Sequence, residues 1–464
     1  MKNFVASMAI IAGFACSGIA SIAPGLPLRD SVADSGITWH FTRQVPIGQF
    51  VSGEYYVVGP CTVSVISPRP NNGRNGSVLN IPPDPAKTGF DSRSTNYDST
   101  LRCYPPIPIK PGDALVSTIS LDTPSAMKAW LSPDNNVETT VRSASVLTCL
   151  AAPESPDAFR PSYCDRSQKI YRASQLHWEK LKNLTRTKST PKPDDWASHF
   201  KRPWLDVCFF AFDAPKEYMP AYGAEVGRAV GIAGLLLNCD YSREEKRNLL
   251  IGFVQYGIDL GGLIKAGFRG WPAWGGHGSG RKWAVLFAGM LLNDTLMQSP
   301  LSKFPKLRFG EDMQTMYDSC WTGAKVVYAG HCGVIDGKAA DSQSGWGPYE
   351  HLDPSQWVSN LGESYRRCCT SISWIGEALA ARIMHAEKLW NHDAFFDYVD
   401  RWMTEKDSSF VAIIKAKKGW DFSASWCRQG QCFDDFVNEM WRQYRPNFPV
   451  SIPQKGKSAP RNGN

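Results

Sequence analysis

The chain of 464 residues reads as a multidomain protein of mixed α and β structure: an N-terminal β-sandwich-like module followed by an α/α-toroid-like helical domain. Short β-branched and aromatic runs, separated by clusters of Pro, Gly and Asn, fill its front part. After Asp206 the apolar residues recur at helical spacing, in segments of roughly 12 to 20 residues. Several of these segments are apolar on nearly all sides, as the inner helices of layered α-hairpins have to be.

Taken in order, Met1-Lys2-Asn3 and the apolar stretch from Phe4 to Ala23 have the charge, length and small-residue ending of a secretory signal peptide, residues 1–23. Gly13 stands where a lipid-anchor motif around Cys16 would want Leu, and Gly13, Gly18 and Pro24 argue against an uncleaved anchor helix. No second apolar run is long enough to span a bilayer, so no membrane association is expected after cleavage. The β-rich module occupies 34–150, with strands at Ile37–Phe41, Gly53–Val58, Cys61–Ile66 and Ala114–Ile119. A Pro-rich connector, 151–205, carries one expected helix at Tyr171–Leu184.

The helical domain, 206–448, has expected helices at Tyr222–Leu237, Arg243–Lys265, Arg281–Leu292, Cys369–Lys388 and Asp434–Tyr444, and another that Asn391 caps and that runs to Met403. Ser242 and Glu245 form a capping box. Gly223, Gly227 and Gly231 weaken their helix unless a second backbone packs very close to it. The tail, 449–464, is polar, has no core to join and is expected to be disordered.

Composition narrows the function classes. With 43% hydrophobic and 20% charged residues the chain is neither disordered, collagen-like nor a polytopic membrane protein. The net charge of +7 is spread without a long run of one sign, so no nucleic acid is expected as a partner. The 17 Trp suit a core and a sugar-binding cleft equally well. In an exported chain the cysteines other than Cys16 read as disulfides, with Cys61–Cys103, Cys149–Cys164, Cys320–Cys332 and Cys427–Cys432 as local pairs. No CxxC motif is present, and no metal or cofactor is expected. Asn75, Asn183 and Asn293 begin glycosylation sequons. GxSxG, HExxH and phosphate-loop motifs are missing, which leaves those chemistries without support.

The loops before the helices concentrate the reactive side chains. In Gly270–Lys282, glycines surround His277, and Arg281 and Lys282 open the next helix, where cations are unfavourable unless a partner uses them. Gln255 and Asp259 share a face of the otherwise apolar helix that also carries Tyr256; a buried Asp there needs a cation, with Arg281 or Arg228 as candidates. In Glu363–Thr370, Tyr365 stands beside Arg366 and Arg367, which would favour its phenolate and could grip a carboxylate. The stretch 330–361, with His331, Trp346, Tyr349, Glu350 and His351, is too irregular for a core element and reads as a lid or cleft wall. His392 reads first as part of a helix cap.

A secreted chain that joins a β-rich module to α-hairpins with His, Tyr, Arg and Trp at loop–helix junctions resembles the toroid polysaccharide lyases and hydrolases, over roughly Asp206–Tyr444. The resemblance implies an enzyme that degrades an acidic, uronate-containing polysaccharide by β-elimination. It implies His277 or Tyr365 as base, Tyr365 or Tyr256 as acid, and Arg281 or Arg366 as neutraliser of the carboxylate. Trp271, Trp274, Lys282, Gln255, Asp259 and Tyr349 would then line the substrate path. Two alternatives stay open: a glycoside hydrolase using a pair among Asp259, Glu311, Asp312 and Glu350, or a non-catalytic glycan binder with Trp271 and Trp274 as its platform.

Overall fold

The computed structural model describes residues 25–83, 87–126, 138–207, 213–341, 343, 345–424 and 428–449. The expected signal peptide 1–23 and nearly all of the expected tail lie outside them, as does Cys427.

The front of the chain forms one nine-stranded mixed sheet that nearly closes on itself. Its strands are β1 (Leu28–Asp34), β2 (Ile37–Gln49), β3 (Tyr55–Val58), β4 (Cys61–Ser67), β5 (Ser77–Leu79), β6 (Arg102–Cys103), β7 (Ile107–Ile109), β8 (Ala114–Ala126) and β9 (Glu138–Leu150). The order is β6-β5-β8-β9-β3-β2-β4-β7, with β1 added beside β2. Only β3 and β9 run parallel; the other pairs are antiparallel. The β-rich front thus stands, but the strands share one hydrogen-bonded path rather than two independent sheets. The long strand β2 makes this possible: its start pairs with β4 and its end with β3, so the sheet bends around it. Trp39, Phe41, Val63, Ile107, Leu115 and Leu147 fill the enclosed side.

Strands β8 and β9 are buried on both faces over most of their length, as strands covered on both sides are. Leu115 and Leu147 point into the sheet's own core, whereas Val116, Ala144 and Val146 join the large core of the helical region. The two parts are therefore packed into one body.

The helical region holds α1 (Pro193–Phe200), α2 (Gly223–Leu237), α3 (Arg243–Lys265), α4 (Arg281–Leu291), α5 (Ile375–Ile383), α6 (Asp393–Thr404), α7 (Asp407–Lys418) and α8 (Asp435–Tyr444), besides shorter turns. Helix α3 starts at the expected capping box: the Glu245 amide donates to the Ser242 hydroxyl at 3.2 Å, and the Ser242 amide donates to the Glu245 carboxylate at 2.8 Å. At two of its three glycines the stripe of α2 does what its spacing required, whereas a Cβ at Gly227 would meet only ordinary contacts. A Cβ at Gly223 would overlap the backbone of Gly276 and His277, and one at Gly231 would press on Gly376 and Glu377 at the start of α5.

Four local expectations are corrected. Tyr171–Leu184 forms only the 3-10 turns Ala173–Gln175 and Trp178–Lys180, and the connector's helix is α1 instead. The helix expected at Cys369–Lys388 begins earlier and is interrupted: a turn Leu361–Tyr365 runs into a π turn, Arg366–Thr370, before α5. Asn391 does not cap α6; with φ of 56° it ends the preceding turn, and His392 occupies the cap position. Cys61, Cys103, Cys149, Cys164, Cys320 and Cys332 are all free thiols, so none of their expected pairs forms. Among the described residues the bonded sulfurs are those of the adjacent Cys368 and Cys369.

Candidate active site

The loop between α3 and α4 is built to bring side chains close to backbone. Gly275 has φ of 54° and Gly280 φ of 94°, left-handed values that suit glycine. A Cβ at Gly275 would overlap the Tyr365 ring, and one at Gly276 would strike the Cys369 carbonyl. The Gly275 amide donates to the His331 carbonyl at 2.9 Å, and the Gly276 amide donates to the Tyr222 hydroxyl at 2.9 Å. Gln314, fully buried, ties the layers together: its Nε2 donates to the carbonyls of Gly275 at 2.8 Å and His331 at 3.0 Å.

Around this turn gather Tyr222, Trp274, His277, His331, Trp346 and Tyr365. The His277 ring stands edge-on to Tyr222 with centroids 4.7 Å apart, and the His331 ring edge-on to Tyr365 at 4.2 Å. Trp274 and Trp346 meet at 4.7 Å, both within 5.5 Å of His331. All but His331 are partly open to solvent. Burial lowers His277 to about 4, with the nearby Arg281 and His331 acting in the same direction. Burial alone lowers His331 to about 4. Both imidazoles are thus neutral at pH 7 and able to accept a proton. Burial raises the Tyr222 phenol, which keeps its proton as a donor.

Most of the other residues expected in the site are buried in ion pairs instead. Arg281 holds Asp206 with two bonds of 2.8 and 3.0 Å, and Tyr256 donates to the same carboxylate at 2.5 Å. Arg281 also donates to the His277 carbonyl at 2.7 Å, so it braces the loop from behind. Asp259 is paired neither with Arg281 nor with Arg228: Arg160 grips it at 2.6 and 2.9 Å and also meets Glu54 at 2.7 Å. Gln255 exchanges 3.0 Å bonds with the Arg160 backbone. Lys282 is paired with Asp312 and lies over the Trp390 ring.

Arg366 binds Glu363 at 2.7 and 2.8 Å, Arg367 reaches both Glu363 and Asp407, and Tyr349 donates to Glu363 at 2.6 Å. The guanidinium groups that were expected to flank the Tyr365 phenol are therefore spent elsewhere. Trp271 is fully buried, with its indole N–H on the Asp206 carbonyl, and offers no stacking face.

Of the residues singled out from the sequence, the fold brings together His277, Tyr365 and Trp274. His331 and Trp346 had been assigned only to a cleft wall, and Tyr222 only to a helix start. Their signal was there in part: Tyr222 immediately precedes the glycine that packs on His277, and aromatic residues stood out in the irregular stretch. The carboxylates considered for hydrolysis are engaged: Asp259 with Arg160, Asp312 with Lys282, Glu350 with Arg401 at 2.9 Å, and Glu311 with the Gly280 amide. Among the described residues no group of three or more His, Cys, Asp or Glu is arranged to hold a metal ion.

Comparison of the chain with protein-family models, with curated proteins and with solved structures gives no match.

Proposed function

We propose that the cluster around Gly275 is the catalytic site of an exported enzyme that cleaves an acidic, uronate-containing polysaccharide by β-elimination, on a helical region arranged as a toroid of hairpins. One observation supports this most: a neutral imidazole and a phenol, His277 and Tyr365, lie in one partly exposed cluster with two indoles, while the alternative acids and bases are locked inside the protein.

Elimination needs a base, an acid and relief of charge on the carboxylate. His277 takes the proton on the carbon next to the uronate carboxylate, and Tyr365 gives its proton to the departing glycosidic oxygen. The proton then passes from the imidazolium back to the phenolate, and the site is reset. Trp274 and Trp346 hold the sugar rings by their faces.

The neutralising role assigned to Arg281 and Arg366 passes to a neutral donor. The Tyr222 oxygen already accepts from Gly276 and has its own proton to give to a carboxylate oxygen. A glycan-binding protein without turnover would use the same Trp pair, and mutation separates the two readings. Appearance of the unsaturated product's ultraviolet band with an acidic polysaccharide, lost in His277→Ala and in Tyr365→Phe, supports elimination. Unchanged sugar affinity with no product in the wild type would move the proposal to binding.

A further inference from the structure

We infer that His331 is a positioning residue for Tyr365, the imidazole nitrogen being the part that matters, so that the phenol presents its proton to the cleft in one orientation. The inference rests on the elimination reading above, and it stands on packing. His331 is 4% exposed and lies edge-on to the Tyr365 ring, at an interplanar angle of 86°. Both rings close on Gly275, where a side chain would collide with Tyr365 and press on the His331 ring. The backbone of His331 is fixed to the same turn from two sides, by the Gly275 amide and by Gln314.

The Nδ1 atom of His331 is buried and has no hydrogen-bond partner among the described residues. Leaving such an atom unpaired costs stability. A phenylalanine would fill this aromatic corner, against Trp274, Trp346 and Tyr365, without that cost. A nitrogen kept there at a loss in stability is one that the working site uses. The two rings are 4.2 Å apart, so a small turn of either brings an imidazole nitrogen to the phenol hydroxyl.

Two measurements on the mature full-length chain test this. In protein carrying ¹⁵N-labelled histidine, Tyr365→Phe moves the ring-nitrogen resonances of His331. With the substrate found in the panel, His331→Phe, which keeps the ring's bulk, lowers kcat on the order of 10- to 100-fold and leaves KM within about twofold. His331→Gln, which retains a polar nitrogen, recovers part of that loss and guards against a folding defect in the first variant. Wild-type kcat in His331→Phe, or a His331 signal unmoved by Tyr365→Phe, overturns the inference. If no acidic polysaccharide is turned over by the wild type, the elimination reading fails, and the nitrogen resonances still decide whether His331 and Tyr365 are paired.

Discussion

Arg160→Met tests the assignment of Asp259 and Gln255 to structure rather than to substrate. Arg160 lies between the β-rich front and α3: Glu54 precedes β3, and Asp259 is inside α3. All three side chains are at most 4% exposed. Methionine keeps most of the volume but leaves two buried carboxylates without their cation. Breaking a buried pair from one side costs about 3–5 kcal/mol. With a urea slope of about 3 kcal/mol per M, that lowers the unfolding midpoint by about 1 to 2 M.

Burial already raises Glu54 to about 7 and raises Asp259, even with Arg160 in place. Removing the cation raises both further, so the loss of stability should shrink as the pH falls and the carboxyls take up protons. Circular dichroism in urea at two pH values measures this. Glu54→Gln/Arg160→Met/Asp259→Asn should recover most of the loss, because no buried charge remains. A midpoint for Arg160→Met within about 0.3 M of the wild type would refute the reasoning. So would a loss of turnover per folded molecule in Asp259→Asn.

The other predictions follow from the same geometry. Because burial lowers His277 to about 4, kcat/KM should rise with pH through about 4 as the imidazole becomes neutral and then stay level, rather than titrate near the ordinary 6.5. Glu311 is raised by burial from 4.5 to about 7, so its protonated form stabilises the fold below 4.5 and that stability is lost as the pH rises through about 7. Glu311→Gln keeps an acceptor for the Gly280 amide and should melt increasingly above the wild type as the pH passes through that window; a constant difference would contradict the assignment. Trp346→Ala should raise KM and leave the melting temperature nearly unchanged, whereas Trp271→Ala should cost about 3–5 kcal/mol of stability because its indole fills the core. Thermal melts beside steady-state kinetics separate the two.

Local chemistry was legible where it was self-contained. The capping box at Ser242, the glycine stripe of α2 and the β-rich front depend on neighbours within a few residues or on a repeating pattern, and each is found. Partner choice was not legible, because it joins residues far apart in the chain. Asp259 lies 99 positions from Arg160, and Arg281 lies 75 from Asp206. Glu363, by contrast, meets Arg366 and Arg367 at the ordinary helical spacings of three and four, so that network was readable in principle.

Tyr171–Leu184 has a helical pattern but gives its backbone to other contacts: the His177 amide donates to Leu291 and the Leu184 amide to Asn238, and these bonds take the place of a helix. Helix α7 went unnoticed because its apolar face is thin, with only Val411 and Ile414 buried. That His277, Tyr365 and Trp274 lie at accessible positions was legible because loop glycines and helix starts mark such places. Arg281 and Lys282 were assigned to a ligand because nothing in their spacing identifies the distant buried acids that hold them, and Arg366 and Arg367 because their helical-spacing pairs with Glu363 were passed over.

The most direct test is turnover of a panel of acidic polysaccharides by the purified protein, followed in the ultraviolet, beside His277→Ala, Tyr365→Phe and Asp259→Asn. The proposed mechanism requires an unsaturated product from the wild type and from folded Asp259→Asn, and none from the other two. New reducing ends without unsaturation, or full activity in His277→Ala, would contradict it.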